Sequence, residues 1–374
     1  MEIAVAVAGF SPVAADELRQ AMSAKRSDER MERLRGRLFA GMRKKGVSEA
    51  VSEQVYESLR AFANFGFPES HSIVFANLVY STAWFKVHHP AAFTAGLLNA
   101  QPMGFWSPQS IIADAQRHGI DIRRPDVNRS RAGASLDEDG VIIRLGLSSV
   151  RGIGNDTAER IAEGQPWSSM EDLVRRAGVN KGQLESLATA GALRFLPEHR
   201  NADIRRAMVW SAGPAAQSTP DRLPGIVTGT DAPELPRPSP LEDVADDLRS
   251  FGMTPDETAI GLFRPQLKER GVVPAGDLSF ASTEQRVTVA GVVTHRQQPE
   301  SARGAVFLNL EDETGMVNVI CSKGAWVRWR SVARNSRALV VRGRLERADG
   351  AITVIAERIE ALRIGPVPGS RDFH

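Results

Sequence analysis

The sequence has 374 residues, of which 42% are hydrophobic and 25% charged, ordinary for globular protein and enough for two or three domains that each bury a core. No apolar run is long enough to cross a bilayer, and the apolar opening Met1–Phe10 lacks the basic flank of a signal peptide. Cys321 is the only cysteine, which excludes an intrachain disulfide and a thiolate metal cluster and makes a cytoplasmic setting the default, and the net charge of +2 by itself singles out no partner.

From Asp16 to about Ala115 the pattern is helical. Residues 25–45 carry nine basic against three acidic side chains. Leu34, Leu38 and Met42, then Val51, Val55, Leu59 and Phe62, recur at three- and four-residue spacing and are expected to line one helix face. Pro68 and Ser70 offer a fresh helix start, and Ile73–Lys86 is apolar nearly all round, which predicts a buried helix ending at His89-Pro90. His88 and His89 have no third ligand at useful spacing, so no zinc site is expected. Val141-Ile-Ile-Arg-Leu145 predicts a short strand. Leu147 to about Arg206 reads as short helices. Residues 211–240, rich in Pro, Gly, Ser and Thr, read as a linker, and the surrounding stretch 208–260 holds nine acidic against three basic residues. Basic bodies on either side of an acidic connector suit a chain that follows a polyanion, and each cluster alone also reads as a solvated helix face.

The sharpest motif is Leu147-Ser-Ser-Val150-Arg-Gly152-Ile153-Gly154-Asn155-Asp-Thr157-Ala158-Glu-Arg-Ile161. Leu147 and Val150 fit the end of one helix, Gly152 and Gly154 supply positive φ, Ile153 plugs the turn into the core, and Thr157 onward begins a second helix with Ala158 and Ile161 facing inward. This is a helix-hairpin-helix pattern. Its glycines let the backbone approach a phosphate, and the unpaired amides of the second helix point at that anion, which positions DNA without reading sequence. Gly152, Ile153, Gly154, Asn155 and Thr157 are therefore the first DNA-binding candidates. Asn180-Lys181-Gly182 is a degenerate companion, adding Lys181.

Beyond residue 285 the character changes to β. Val287–Val293, Ala305–Leu310, Met316–Ile320, Leu339–Leu345 and Ala351–Ala356 read as five strands, with a helix at Ala325–Val332 between the third and fourth, the order of an OB-fold. Gly291, Gly315 and Gly343 fall where a small barrel bends or turns. Such barrels bind single strands through a basic groove with aromatic platforms, for which Arg296, Arg303, Phe307, Arg342 and Arg344 are candidates. A barrel that packs against another domain remains open.

The run from Phe65-Gly-Phe-Pro-Glu-Ser-His71 to Ala83-Trp-Phe-Lys-Val-His-His-Pro90 resembles the end of the fingers domain in bacterial C-family DNA polymerase α subunits. Gln101-Pro-Met-Gly-Phe-Trp-Ser-Pro108, Asp114-Ala-Gln-Arg-His-Gly119 and the terminal Ser370-Arg-Asp-Phe-His374 are similar to the error-prone, mutagenic-repair branch of that family. The resemblance implies a multidomain α+β chain: the carboxy-terminal part of the fingers (1–125), a helix-hairpin-helix domain (126–210), a linker (211–240), a connecting segment (241–284), an OB-fold barrel (285–363) and a tail (364–374). It also implies template-directed nucleotide addition with Mg²⁺ held by palm aspartates. Nothing here matches that palm, and Met1–Phe10 resembles an internal family segment. The chain is thus expected to begin mid-polymerase, to hold no catalytic residue or metal of its own, and to be inactive alone. Arg19 matches the first of two adjacent arginines that grip the incoming triphosphate in the family, Gln20 departs at the second, and Lys25 and Arg26 lie close behind. The implied partners are primer-template duplex, template single strand and other mutagenic-repair proteins, with no membrane. Ile260-Gly-Leu-Phe263 is a poor substitute for the Gln-rich clamp-binding peptide of replicative relatives. A stand-alone DNA-binding accessory module and an RNA-directed OB protein are the alternatives.

Overall fold

The computed structural model describes residues 2–22, 27–64, 69–137, 139–196, 205–223, 225–299, 302–348, 350–365, 367 and 370–373. The chain divides into two compact units, one of Met1–Trp84 with Gln298–Val306, the other of Phe85–Gln297 with Phe307–Phe373.

In the first unit, helices α1 (Glu2–Ala8), α2 (Pro12–Met22), α3 (Ser27–Lys44) and α4 (Glu49–Asn64) enclose a core of Ala4, Ala8, Leu18, Met31, Leu38, Met42 and Tyr56. Gly41 lets α3 cross α1 closely, since a Cβ there would lie 2.0 Å from the Ala8 carbonyl oxygen. The periodicity places α3 correctly but rotates α4. Val51 is exposed, while Ser52 and Tyr56 are buried. Tyr56 wins the inward position because its hydroxyl donates to Glu32 (2.8 Å) and Arg35 stacks over its ring. The side chain of Phe62 lies outside the description.

Helix α5 (Glu69–His88) corrects a second expectation. It is apolar as read, yet Ile73, Val74, Leu78, Val79 and Tyr80 are exposed, Tyr80 by 80%. A helix with no polar face lacks the asymmetry that tells a sequence reader which side is covered.

The second unit opens with α6 (Pro90–Asn99) and α7 (Pro108–Arg117), followed by a small sheet in which β3 (Ile143–Arg144) lies between β1 (Ile122–Arg123) and β2 (Ser135–Leu136). A 3₁₀ turn (Leu147–Ser149) precedes α8 (Asn155–Glu163), α9 (Met170–Ala177), α10 (Lys181–Thr189) and α11 (Arg205–Ala215). Ala91, Ile112, Ile122, Leu147, Ile161, Trp167, Leu187 and Met208 share one core, so the boundary expected near 125 is not a break in packing. Trp167 is its largest member. Its ring needs Gly164, where a Cβ would lie 2.4 Å away, and its indole N–H donates to Ile161 O at 2.9 Å.

Helix α11 reaches into the stretch read as linker because Ser211, Ala212 and Ala215 continue its buried face. The part without regular structure starts later and is largely exposed up to α12 (Pro240–Ser250). Asp247 of α12 is buried and takes both terminal nitrogens of Arg124 (2.5 and 2.6 Å) and one from Arg205 (3.0 Å), fastening the connecting segment to the helical body. With α13 (Ala259–Leu262) and α14 (Arg264–Glu269), α12 covers an apolar outer patch of the barrel at Ala290, Ala338 and Val340. Ile260 is buried in that contact, so the Ile260–Phe263 run is core and not a free docking peptide.

The barrel strands are β4 (Arg286–Gln297), β5 (Val306–Glu311), β6 (Met316–Cys321), β7 (Ala338–Ala348) and β8 (Ala351–Ala361), with α15 (Lys323–Asn335) between β6 and β7. The order β5-β6-β8-β7-β4, closed by β4–β5 pairing, is that of an OB-fold. Close strand approach explains two of its glycines: a Cβ on Gly343 would lie 2.2 Å from Ile355 O, and one on Gly291 2.9 Å from the Glu311 backbone. Gly343 also borders a bulge in the β7–β8 ladder. A short tail strand, β9 (Arg371–Phe373), pairs parallel with the end of β4.

Candidate nucleic-acid interface

The hairpin before α8 is built as a backbone device. Gly152 has φ +85°, a conformation that side chains with a Cβ resist, and Ile153 is buried and anchors the turn. Gly154 corrects the sequence reading: its φ is −70° and its ψ 164°, so it serves as the N-cap of α8 and not as a second left-handed residue. The segment before the hairpin is likewise a 3₁₀ turn, not an α-helix.

The consequence lies in the amides. The first turn of any α-helix leaves N–H groups without intrahelical acceptors, and α8 has no side-chain cap. The first intrahelical bond runs from Ala158 N to Gly154 O, leaving Asn155, Asp156 and Thr157 to direct their N–H groups outward. Gly154 and Asn155 are exposed, and a Cβ on Gly154 would meet nothing within 4 Å. The Thr157 side chain, by contrast, is buried, its hydroxyl accepting from Arg160 (3.2 Å) and Gln183 (3.4 Å). Thr157 can therefore offer its amide to an anion but not its hydroxyl. Arg151 is exposed beside the turn, and its backbone N–H donates to Ser250 O (2.7 Å).

A second hairpin joins α9 to α10. Here Gly178 takes the left-handed conformation (φ +65°), Val179 is buried, and Asn180 is the N-cap. Sequence reading placed this companion at Asn180-Lys181-Gly182 and missed Gly178. The pattern Gly152-Ile153-Gly154 repeated as Gly178-Val179-Asn180 was the available signal. In α10 the Asn180 side chain accepts from Gln183 N (3.0 Å) and the Gln183 side chain accepts from Asn180 N (3.1 Å), a complete capping box. Lys181 is exposed and paired with Glu185 of its own helix (3.7 Å). Gln183 also donates to Gly152 O (3.4 Å), tying the hairpins together.

The barrel candidates are not brought together. Arg296 is buried, its guanidinium donating to Ala333 O (2.9 Å), Ser336 O (2.5 Å), Ser370 Oγ and Asp372 (3.2 Å), which makes it a clasp for α15 and the tail. Arg303 is exposed at φ +51° in the turn after β4. Phe307, half-buried on β5, stands opposite Gln297. Arg342 stands opposite Thr288, nine residues back along β4, up to about 30 Å of strand at ~3.3 Å per residue. Around it Arg286 and Arg358, which sequence reading missed, share the outer face with Arg344. Arg344 is bound to Glu284 and Glu346, Arg286 to Glu357 (3.2 Å) and Arg358 to Glu360 (2.7 Å).

In the first unit Arg19 is exposed and donates to Asp16 (2.9 Å), as does Gln20 (2.8 Å), and these two bonds hold the Asp16 carboxyl below its ordinary range. Lys25 and Arg26 lie outside the described residues. Among those described, no three His, Cys, Asp or Glu side chains gather into a metal-holding group, and no helix is long and apolar enough to cross a membrane.

Family models agree with this layout. "Bacterial DNA polymerase III alpha subunit finger domain" matches residues 1–46, "Helix-hairpin-helix motif" 119–203, and "OB-fold nucleic acid binding domain" 287–362. The error-prone DNA polymerase of Nocardia farcinica is 51% identical over all of this chain and 33% of its own length. Those of Mycolicibacterium paratuberculosis and Mycobacterium tuberculosis are each 50% identical over all of this chain and 34% of theirs. With half of its residues identical from end to end, the chain is similar throughout to bacterial error-prone DNA polymerases and spans about a third of their length.

Proposed function

We propose that this chain is the DNA-holding part of an error-prone polymerase and that it grips primer-template duplex by its sugar-phosphate backbone, without reading sequence. The observation that carries this is the open start of α8, where outward amides follow a buried anchor and a glycine cap with no Cβ in the way. A phosphate oxygen at that helix end accepts from the amides and meets the positive end of the helix dipole. It takes the place that the Asn180 side chain takes in α10.

The remaining assignments belong to the same reading. Phe307 and Arg342 contact template single strand, and Arg19 faces the incoming nucleotide. Nucleotide addition with Mg²⁺ belongs to polymerase segments other than these residues. The complete enzyme acts in damage-tolerant synthesis alongside other mutagenic-repair proteins in the cytoplasm.

The test is a fluorescence-anisotropy titration of the folded chain against labelled primer-template at rising salt, with structured RNA as competitor. Binding is expected at low ionic strength and should weaken as salt rises, because ~0.9 counterion is released per phosphate neutralised, with DNA preferred over RNA. A folded chain that ignores primer-template at low ionic strength overturns the proposal.

A further inference from the structure

On the outer face of β4, β7 and β8, Arg286, Arg344 and Arg358 each have a glutamate partner. Helix α15 is different. Its sequence, Lys323-Gly-Ala-Trp-Val-Arg-Trp-Arg-Ser-Val-Ala-Arg-Asn335, contains no acidic residue. Lys323, Arg328, Arg330 and Arg334 are exposed, and none of the four makes an ion pair among the described residues. Lys323, Val327, Arg330 and Arg334 follow one another at spacings of four, three and four, which lays them along one stripe of the helix. The flank beside this stripe is fixed to the barrel by buried Trp326 and Ala333.

We propose that this stripe is a second contact for the phosphate backbone of duplex DNA, separate from the α8 hairpin. The proposal rests on the reading above only in taking DNA as the polyanion. Three features choose the ligand. The cations are unanswered among the described residues, so approach of an anion breaks no pair seen there. From Lys323 to Arg334 the stripe runs about 16 Å at ~1.5 Å per residue, a length over which one strand of a duplex presents roughly five phosphates at ~3.4 Å spacing. The stripe also offers no stacking platform, which single-strand binding requires. Trp326 is buried, and Trp329 is half-buried, with its indole N–H on Glu357 O (3.3 Å) and the Arg328 guanidinium over its ring (5.2 Å). Helix α15 also closes its own N-terminus with Ser322, so its positive charge resides in the side chains alone.

The experiment uses the full chain, titrated against a labelled blunt duplex and a single strand of equal length over a salt series. The variant Lys323→Gln/Arg330→Gln/Arg334→Gln removes three exposed charges from a helix whose buried anchors, Trp326 and Ala333, are left in place. It is expected to lose tenfold or more of duplex affinity at about 0.1 M salt and to flatten the log–log salt slope by about 2–3, at ~0.9 per phosphate contact. Single-strand binding should change less, and Arg330→Lys/Arg334→Lys should keep the slope. An unchanged duplex slope in the triple variant assigns the stripe to an acidic protein or to solvent and overturns the proposal while leaving the hairpin reading intact. A larger loss for single strand than for duplex overturns it as well. Loss confined to the α15 variant, with Gly154→Asp, which caps α8, still binding normally, supports the stripe and sinks the hairpin instead.

Discussion

The hairpins before α8 and α10 have one design and opposite endings. Each places a left-handed glycine, Gly152 or Gly178, ahead of a buried β-branched residue, Ile153 or Val179, and then the N-cap of the next helix. At that cap they part. Asn180 answers the Gln183 amide of α10 and Gln183 the Asn180 amide from within the chain, whereas Gly154 leaves the matching Thr157 amide of α8 unanswered. The fold thus caps one helix start from within and leaves the other without a side-chain cap. On the proposed reading the anion site lies in the cap that is missing and not in the turn, because the turn is common to both.

The largest expected effect comes from making the open end resemble the closed one. Gly154→Asp places a carboxylate where its oxygen can accept from the Thr157 amide. The backbone already has cap geometry, and the added Cβ meets nothing. Thermal stability should hold or rise by a few tenths of a kcal/mol. Duplex affinity should fall about thirtyfold, ~2 kcal/mol, since the carboxylate occupies the site and repels phosphate. Gly154→Asn separates the two causes and should show a smaller loss. The reverse experiment, Asn180→Ala, opens α10. It should cost about 1 kcal/mol of unfolding free energy and leave duplex affinity within about twofold. If the two variants lower affinity equally, the hairpins are not functionally distinct.

The same contrast explains how much could be read in advance. The hairpin, the barrel order and the position of α15 were legible because they depend on backbone conformation and periodicity, which leave marks such as Gly152, Ile153 and the alternation of β4 to β8. The partners of the barrel arginines were not legible. Arg296 and Arg342 look alike as letters in strands, yet a register shift in β4 after Val293 precedes the inward turn of Arg296 under α15 and the tail. Gly154 was misjudged for a related reason: glycine signals a special need of the backbone, but positive φ and an absent side chain are different needs. The exposure of α5 was illegible because an apolar helix reports its demand for cover and nothing of its neighbours.

The smallest effect should come from a third polar group that the fold answers by itself. Glu311 is buried at the end of β5, accepting from Ser110 Oγ (2.9 Å) and Arg117 (3.2 Å) of α7. Burial raises its pKa above the ordinary glutamate range, and the bonds from Ser110 and Arg117 only partly oppose that. The folded state therefore binds this proton more tightly than the unfolded chain does. The resulting stabilisation is fully present below the unfolded pKa and is lost as pH rises through the folded one. Glu311→Gln keeps the shape and removes the titration. Its stability relative to the parent chain should decline as pH is lowered from 7 through 5, with duplex affinity unaltered throughout, as denaturant melts and anisotropy would record. A relative stability that climbs on acidification would mean that Ser110 and Arg117 outweigh burial, so that Glu311 is held as a fully answered anion. In that case the division between groups the fold satisfies and groups it leaves for DNA has to be drawn from pairing geometry alone and not from burial.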